Sequence, residues 1–226
     1  MKTHFELSPQ EYEQSRSGHL GRRRLELVRA ALAGAVASGA TVLEIGCGPG
    51  GLLAELAFKR PELEFVGVDS DPRMIDYARS ANVRENVRYE LADFVGERPA
   101  VLADFAYGID VLHHVHDLPS FLEGVRQALR AGGTWLVIEP NVFHPYIFWS
   151  QGRMRRAGLD EDHFRPWVAE PALRAAGFAL RDRRYAFLFP GFVQSVPKPL
   201  ARIESVLERL RPIGGSVIYR LERLPS

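Results

Sequence analysis

A chain of 226 residues is long enough for one α/β domain with a proper core and too short for two comfortable ones. Its 46% hydrophobic and 25% charged residues exclude a disordered chain, and a net charge of +1 gives no bulk attraction to nucleic acid. The single cysteine, Cys47, excludes an internal disulfide and any multi-cysteine metal site. The opening MKTHFELSPQ has no apolar core, and no window reaches the ~18 apolar residues of a membrane span, so a cytoplasmic protein is expected.

In chain order, residues 19–38 place Leu20, Leu27, Val28, Ala31, Leu32 and Val36 on one helical face. The basic run GRRRLELVR (21–29) reads as a solvated face of that helix, with an anionic-ligand patch as the alternative. Strands are expected at 41–46, 64–68, 87–91, 103–108, 134–139, 184–189 and 216–221. Helices are expected near 51–59, 72–80, 119–130 and 169–176, the second opened by Asp71 as N-cap with Pro72 behind it. Apolar runs of strand length alternating with amphipathic helices describe βαβ units and a parallel sheet. Between 190 and 215 the rhythm breaks. One more amphipathic helix (200–211) precedes a strand with no helix after it, which suits antiparallel entry.

VLEIGCGPGG (42–51) closes the first strand with a crowd of glycines, and Gly46, Gly48 and Gly51 fit G-x-G-x-x-G. Such a turn aims backbone N–H groups and a helix N-terminus at a ligand. Asp69 closes the second strand, where a carboxylate can accept from both hydroxyls of a ribose. A nicotinamide dinucleotide and S-adenosylmethionine would both use this pair.

Glu44 tips the balance. E-x-G-C-G-x-G at 44–50 resembles motif I of the class I S-adenosylmethionine-dependent methyltransferases, and dinucleotide loops do not usually carry that acid. VGVDSDPRMIDYAR (66–79), YELADF (89–94), ADFAYGIDVLHHV (103–115) and LRAGGTWLVIEPN (129–141) resemble the family's later elements, in order. The resemblance, to small-molecule members of the methyltransferase-11/23 kind, implies an α/β, Rossmann-like, seven-stranded sheet. Its order would be 3-2-1-4-5-7-6 with strand 7 antiparallel and helices on both faces. It implies a single domain over 1–226, with a helical cap at 1–38 and lid insertions at 140–168 and 190–215. It also implies S-adenosyl-L-methionine as cofactor, held by Glu44, Gly46, Cys47, Gly48, Gly50, Asp69, Ser70, Met74, Asp93, Phe94 and Gly108. Asp69 would take the ribose, Met74 the adenine face and Asp93 the adenine amino group. Asp104 and the VLHHV segment would sit beside the methionine end. The N/D-P-P-Y/F signature of amino-methylating enzymes is absent, since 108–113 reads GIDVLH, and the Lys-Asp-Lys-Glu set of ribose-methylating RNA enzymes has no counterpart.

Both lid segments should leave the sheet on the ligand side. They and the adjoining strand are aromatic, with Phe143, Tyr146, Phe148 and Trp149 in one stretch and Tyr185, Phe187, Phe189 and Phe192 in the other. This suggests a small apolar or aromatic acceptor, or a lipid-like one, methylated most readily at oxygen, with no nucleic-acid partner. The helix 200–211 carries Leu200, Ile203, Val206, Leu207 and Leu210 on one face, edged by Arg202, Arg209 and Arg211. Packing into the core with a solvated basic edge is expected of it; a membrane-surface helix is the alternative. An oxygen or nitrogen acceptor sheds a proton, and histidine is the natural base. His113, His114 and His116 follow strand 4, and the ranked candidates are His114, His144 and His163. Asp160, Glu161 and Asp162 adjoin His163 without metal-ligand spacing, so no metal is expected. Two other readings stay open: an NAD(P)-dependent oxidoreductase on the same glycine loop, and a non-catalytic family member that binds cofactor.

Overall fold

The computed structural model describes residues 7–96, 99–158, 163–191, 193–210 and 213–225. Seven strands form one sheet: β1 (Thr41–Ile45), β2 (Glu64–Asp69), β3 (Val87–Leu91), β4 (Ala103–Ile109), β5 (Leu129–Pro140), β6 (Phe178–Ala186) and β7 (Ser216–Arg223). Their order is β3-β2-β1-β4-β5-β7-β6. The first five run parallel, and β7 lies antiparallel to both β5 and β6.

The expected order and the antiparallel last strand are both found. Strands buried on both faces need apolar side chains throughout, which is why TVLEI and ADFAYGI read so clearly as strands. One face of the sheet packs Leu43, Val66 and Val137 against α5 (Leu118–Ala128) and α7 (Pro166–Ala175). The other packs Val42, Phe65 and Phe105 against α2 (His19–Leu32), α3 (Gly51–Lys59) and α4 (Pro72–Ala81). α1 (Pro9–Arg16), α6 (Pro145–Arg156) and α8 (Lys198–Leu207) lie outside these layers. Among the described residues no helix is long and apolar enough to cross a membrane.

Several boundaries differ from expectation. α2 stops at Leu32 rather than 38, and Gly34 and Gly39 lie in the turn that follows. β5 begins at Leu129, five residues early, because the chain passes through Gly132 at φ 78° and rejoins β4 across a register shift. β6 spans 178–186 instead of 184–189. Its exposed centre, Arg181 to Arg184, carries no apolar pattern, as befits a charge-protected edge strand, and Phe187 at φ 63° ends it. α1 escaped the sequence reading although its capping box, Ser8 with Glu11 around Pro9 at the first helical position, is written in SPQE.

Candidate active site

The carboxyl ends of β1, β2, β4 and β5 converge beneath α1 and α2. In the β1–α3 turn Gly46, Gly48 and Gly50 all have positive φ (69°, 53° and 83°). A side chain at Gly46 would bring Cβ to 2.6 Å from Val111 Cγ2, so this turn requires glycine both for conformation and for space. Gly46 N and Cys47 N donate to Val68 O at 2.8 and 2.9 Å, fastening the turn to the end of β2. Asp69 completes it: Oδ2 accepts from Gly48 N at 2.7 Å and Oδ1 from Asp71 N at 2.9 Å. Burial raises the pKa of this carboxyl despite those donors.

Gly46, Gly48, Asp69, Ser70, Met74, Asp93 and Phe94 line one cavity of about 260 Å³. Met74 and Phe94 supply its apolar walls, and Phe94 is pinned at φ 63°. Asp93 is held in place by Val95 N and Gly96 N, which donate to its Oδ1 at 2.9 and 2.7 Å. Glu44 and Cys47 line the adjoining cavity of about 400 Å³ with the same glycines. Of the remaining expected ligands, Gly50 and Gly108 line neither cavity. Gly50 yields to the Tyr89 ring, 2.7 Å from where a Cβ would sit, and Gly108 runs inside the sheet against Ile45. Burial pushes the Cys47 thiol well up, which suits a space-filling residue and not a nucleophile.

Glu44 is 5% exposed, and its Oε2 has no hydrogen-bond partner. Burial pushes its carboxyl up to about 8, although the Tyr107 hydroxyl and Arg16 pull the other way. The Tyr107 hydroxyl is likewise buried without a partner of ordinary geometry, so we read the two groups as neighbours and not as a formed bond. An orphaned carboxylate oxygen beside a left-handed glycine turn fits a ligand that brings a cation or donors. S-adenosylmethionine brings both.

Asp104 is a correction. As the second residue of β4 it sits at the amino edge of the sheet, where Oδ2 accepts from Thr41 N (2.9 Å) and Oδ1 pairs with Arg130 (3.1 Å). The acid at the carboxyl end is Asp110, at φ 58°, which the sequence reading passed over. Asp110 Oδ2 accepts from Arg16 (2.9 Å) and Arg24 (2.7 Å). Burial alone would raise this carboxyl, but Arg24 and Arg16 outweigh it and hold it well below the usual range. Arg24 is 6% exposed with an unpartnered Nε, so the 21–29 run is not simply a solvated flank.

Arg16, Arg24, Asp110, His113 and His114 line a third cavity of about 530 Å³, roofed by Ile147, Gln151 and Met154 of α6. His114 also reaches the 260 Å³ cavity, so it bridges the two. His113 Nδ1 lies 2.7 Å from Glu139 Oε2, while Glu139 Oε1 accepts from Val111 N (2.9 Å) and Leu112 N (2.8 Å). Glu139 is fully buried. The signal for it was present in TWLVIEP, where a lone charge interrupts an apolar strand. His144 stands at the N-cap of α6 and lines a fourth cavity of about 320 Å³, and burial lowers its pKa. His163 lines none of these four cavities; it stacks on Phe148 at 4.8 Å and meets Gln151 at 3.2 Å. Residues 160–162 and Phe192 lie outside the described residues, and the described ones hold no His/Cys/Asp/Glu group fit for a metal. Of the aromatic lid residues, Tyr146, Phe187 and Phe189 do line the fourth cavity, whereas Phe148 and Trp149 are over half exposed.

A methyltransferase-domain family model matches residues 43–135, the stretch that carries the glycine turn, Asp69 and β4. Over that stretch the chain carries a class I S-adenosylmethionine-dependent methyltransferase domain. A probable S-adenosylmethionine-dependent methyltransferase of Mycolicibacterium smegmatis is 31% identical over 76% of this chain and 64% of its own length. A trans-aconitate 2-methyltransferase of Azoarcus sp. is 34% identical over 45% of this chain and 39% of its own. The chain thus spans less than two thirds of the length of these curated relatives. Among solved structures, an S-adenosylmethionine-dependent methyltransferase from Mesorhizobium loti superposes with TM-score 0.64 at 21% identity, covering 88% of this chain and all of that one. Geranyl diphosphate methyltransferase, solved with its diphosphate and sinefungin, gives TM-score 0.67 at 15% identity, covering 91% and 78%. In class I terms, the order of the sheet and the β1 turn are those of the methyltransferases.

Proposed function

We propose that this chain transfers a methyl group from S-adenosylmethionine to an oxygen of a small acceptor held in the 530 Å³ cavity. The observation that carries the reading is the His113–Glu139 pair, whose imidazole lines that cavity while the carboxylate lies buried behind it. The cofactor supplies a methyl group on a sulfonium, an already activated leaving group. Asp69 would hold its ribose, Met74 and Phe94 its adenine, and Glu44 its ammonium end. With Nδ1–H donating to Glu139, the imidazole lone pair of His113 sits on Nε2. An acceptor hydroxyl bonded to Nε2 gives up its proton there as its oxygen attacks. His114, bridging the two cavities with its ring 4.0 Å from that of His113, is the alternative base. Leu20, Pro140, Ile147, Phe187 and Phe189 line the 320 Å³ annex and suit an apolar or aromatic acceptor body.

A second reading has its own observation. Arg24, with an unpartnered Nε, and Arg16 face the same cavity and suit a carboxylate-bearing acceptor, in keeping with the relatives named for trans-aconitate. Turnover of an acceptor panel of phenols and polycarboxylates separates the two. His113→Ala should lower kcat by about 10²–10⁴-fold, the range for a lost general base, with cofactor affinity unchanged. Turnover at the wild-type rate would remove His113 from the chemistry. A folded chain that binds no S-adenosylmethionine by calorimetry would overturn the function itself.

A further inference from the structure

α8 is packed the opposite way from what its sequence predicts. Leu200, Ile203, Val206 and Leu210, spaced for one helical face, are 46, 51, 66 and 51% exposed. The side turned inward carries Glu204 and Glu208. Glu204 meets His19 and Arg23 at 2.8 Å and accepts from Leu188 N at 3.2 Å, and Glu208 meets Arg23 at 2.8 Å and accepts from Phe187 N at 2.8 Å. With both acids consumed inside, the charges that this helix and the turn after it show to solvent are Lys198, Arg202 and Arg209, all positive. At ~100° per residue Arg202 and Arg209, one heptad apart, share a flank beside the apolar stripe. Four exposed aliphatic side chains on this helix and the turn after it gain nothing from water, and a basic edge of one sign complements a surface of uniform negative charge.

We propose that α8 is a docking surface for an anionic lipid bilayer. Its apolar stripe enters the boundary between headgroups and acyl chains, and Lys198, Arg202 and Arg209 bind phosphates in the headgroup layer. The burial of Glu204 and Glu208 is what makes the surface single-signed. Those same acids hold the 187–189 backbone, so the lipid-contacting helix is fixed to a wall of the 320 Å³ cavity.

The test is flotation of the full chain with vesicles of phosphatidylcholine alone and with vesicles in which about a third of the lipid is phosphatidylglycerol. Binding to the anionic vesicles only, weakened by salt, is expected. R202Q/R209Q should bind about 30-fold more weakly, two charges of about 1 kcal/mol each at 1.4 kcal/mol per tenfold. I203S/V206S should bind at least tenfold more weakly, with S-adenosylmethionine affinity unchanged in both variants. Both pairs are exposed, so the fold has no stake in them, and unchanged melting temperatures verify this. No binding to anionic vesicles at low salt overturns the proposal. So does a dimer of the wild type that I203S/V206S converts to monomer, because a second copy then covers the stripe.

Discussion

Asp69 and Glu44 are both acids near one turn, yet they do different work. Asp69 spends part of its accepting capacity on Gly48 N and Asp71 N, which orients the rest toward the 260 Å³ cavity. Asp69→Ala should weaken S-adenosylmethionine binding more than tenfold by calorimetry, since each charge-assisted bond contributes about 1.5–3 kcal/mol. Glu44 has no such donors for Oε2, and its raised pKa of about 8 against an ordinary 4.5 makes it a proton store. Between those values the unfolded chain binds fewer protons than the folded one, so stability falls as pH rises, by up to about 1.4 kcal/mol per pH unit. Glu44→Gln should flatten the decline in melting temperature of the ligand-free protein between pH 5 and 8. A cationic ligand beside Glu44 ionises it, so binding near pH 7 should release a proton. Calorimetry in buffers of different ionisation enthalpy measures that release, and a buffer-independent enthalpy would count against Glu44 as the ammonium partner. The sequence displayed these acids but not Asp110, because its role depends on Arg16 and Arg24 arriving from helices 86 and more positions upstream.

α8 shows where periodicity misleads. The spacing of Leu200, Ile203, Val206 and Leu210 identified a helix correctly and its buried face wrongly. A hydrophobic stripe records that a helix is two-faced; which face turns inward depends on what waits there. Here His19 and Arg23 of α2 wait, together with backbone N–H groups of 187–189, and they take carboxylates. Glu204→Ala should therefore cost about 3 kcal/mol in urea unfolding, because it leaves buried donors and part of a buried cation unmatched. Ile203→Ser on the opposite face should cost less than about 0.5 kcal/mol. Equal losses from the two would mean that the helix packs through its stripe after all. Edge strand β6 was expected too late in the chain for a related reason: its pairing with β7 is a backbone matter that charged side chains do not betray.

For the whole molecule, a ligand bound only by the folded chain raises its stability by about 2.7 kcal/mol at a hundred times Kd. At roughly 2–4 °C per kcal/mol for a domain of this size, S-adenosylmethionine should raise Tm by about 5–10 °C. NADH should leave it in place; a shift with NADH alone would restore the oxidoreductase reading. The parallel half of the sheet was legible because β1, β2, β4 and β5 are mostly apolar over strand length and are followed by turn residues. Its other half rests on β7, whose position between β5 and β6 has a consequence for how the protein is born. Residues leave the ribosome in order, and among the described residues β6 pairs with no strand but β7. While 216–223 are still in the exit tunnel, β6 has no ladder to join, and β5 presents the bare edge that β7 will cover. The nascent chain therefore carries two unsatisfied strands until 216–223 emerge, a window in which a chaperone has something to hold.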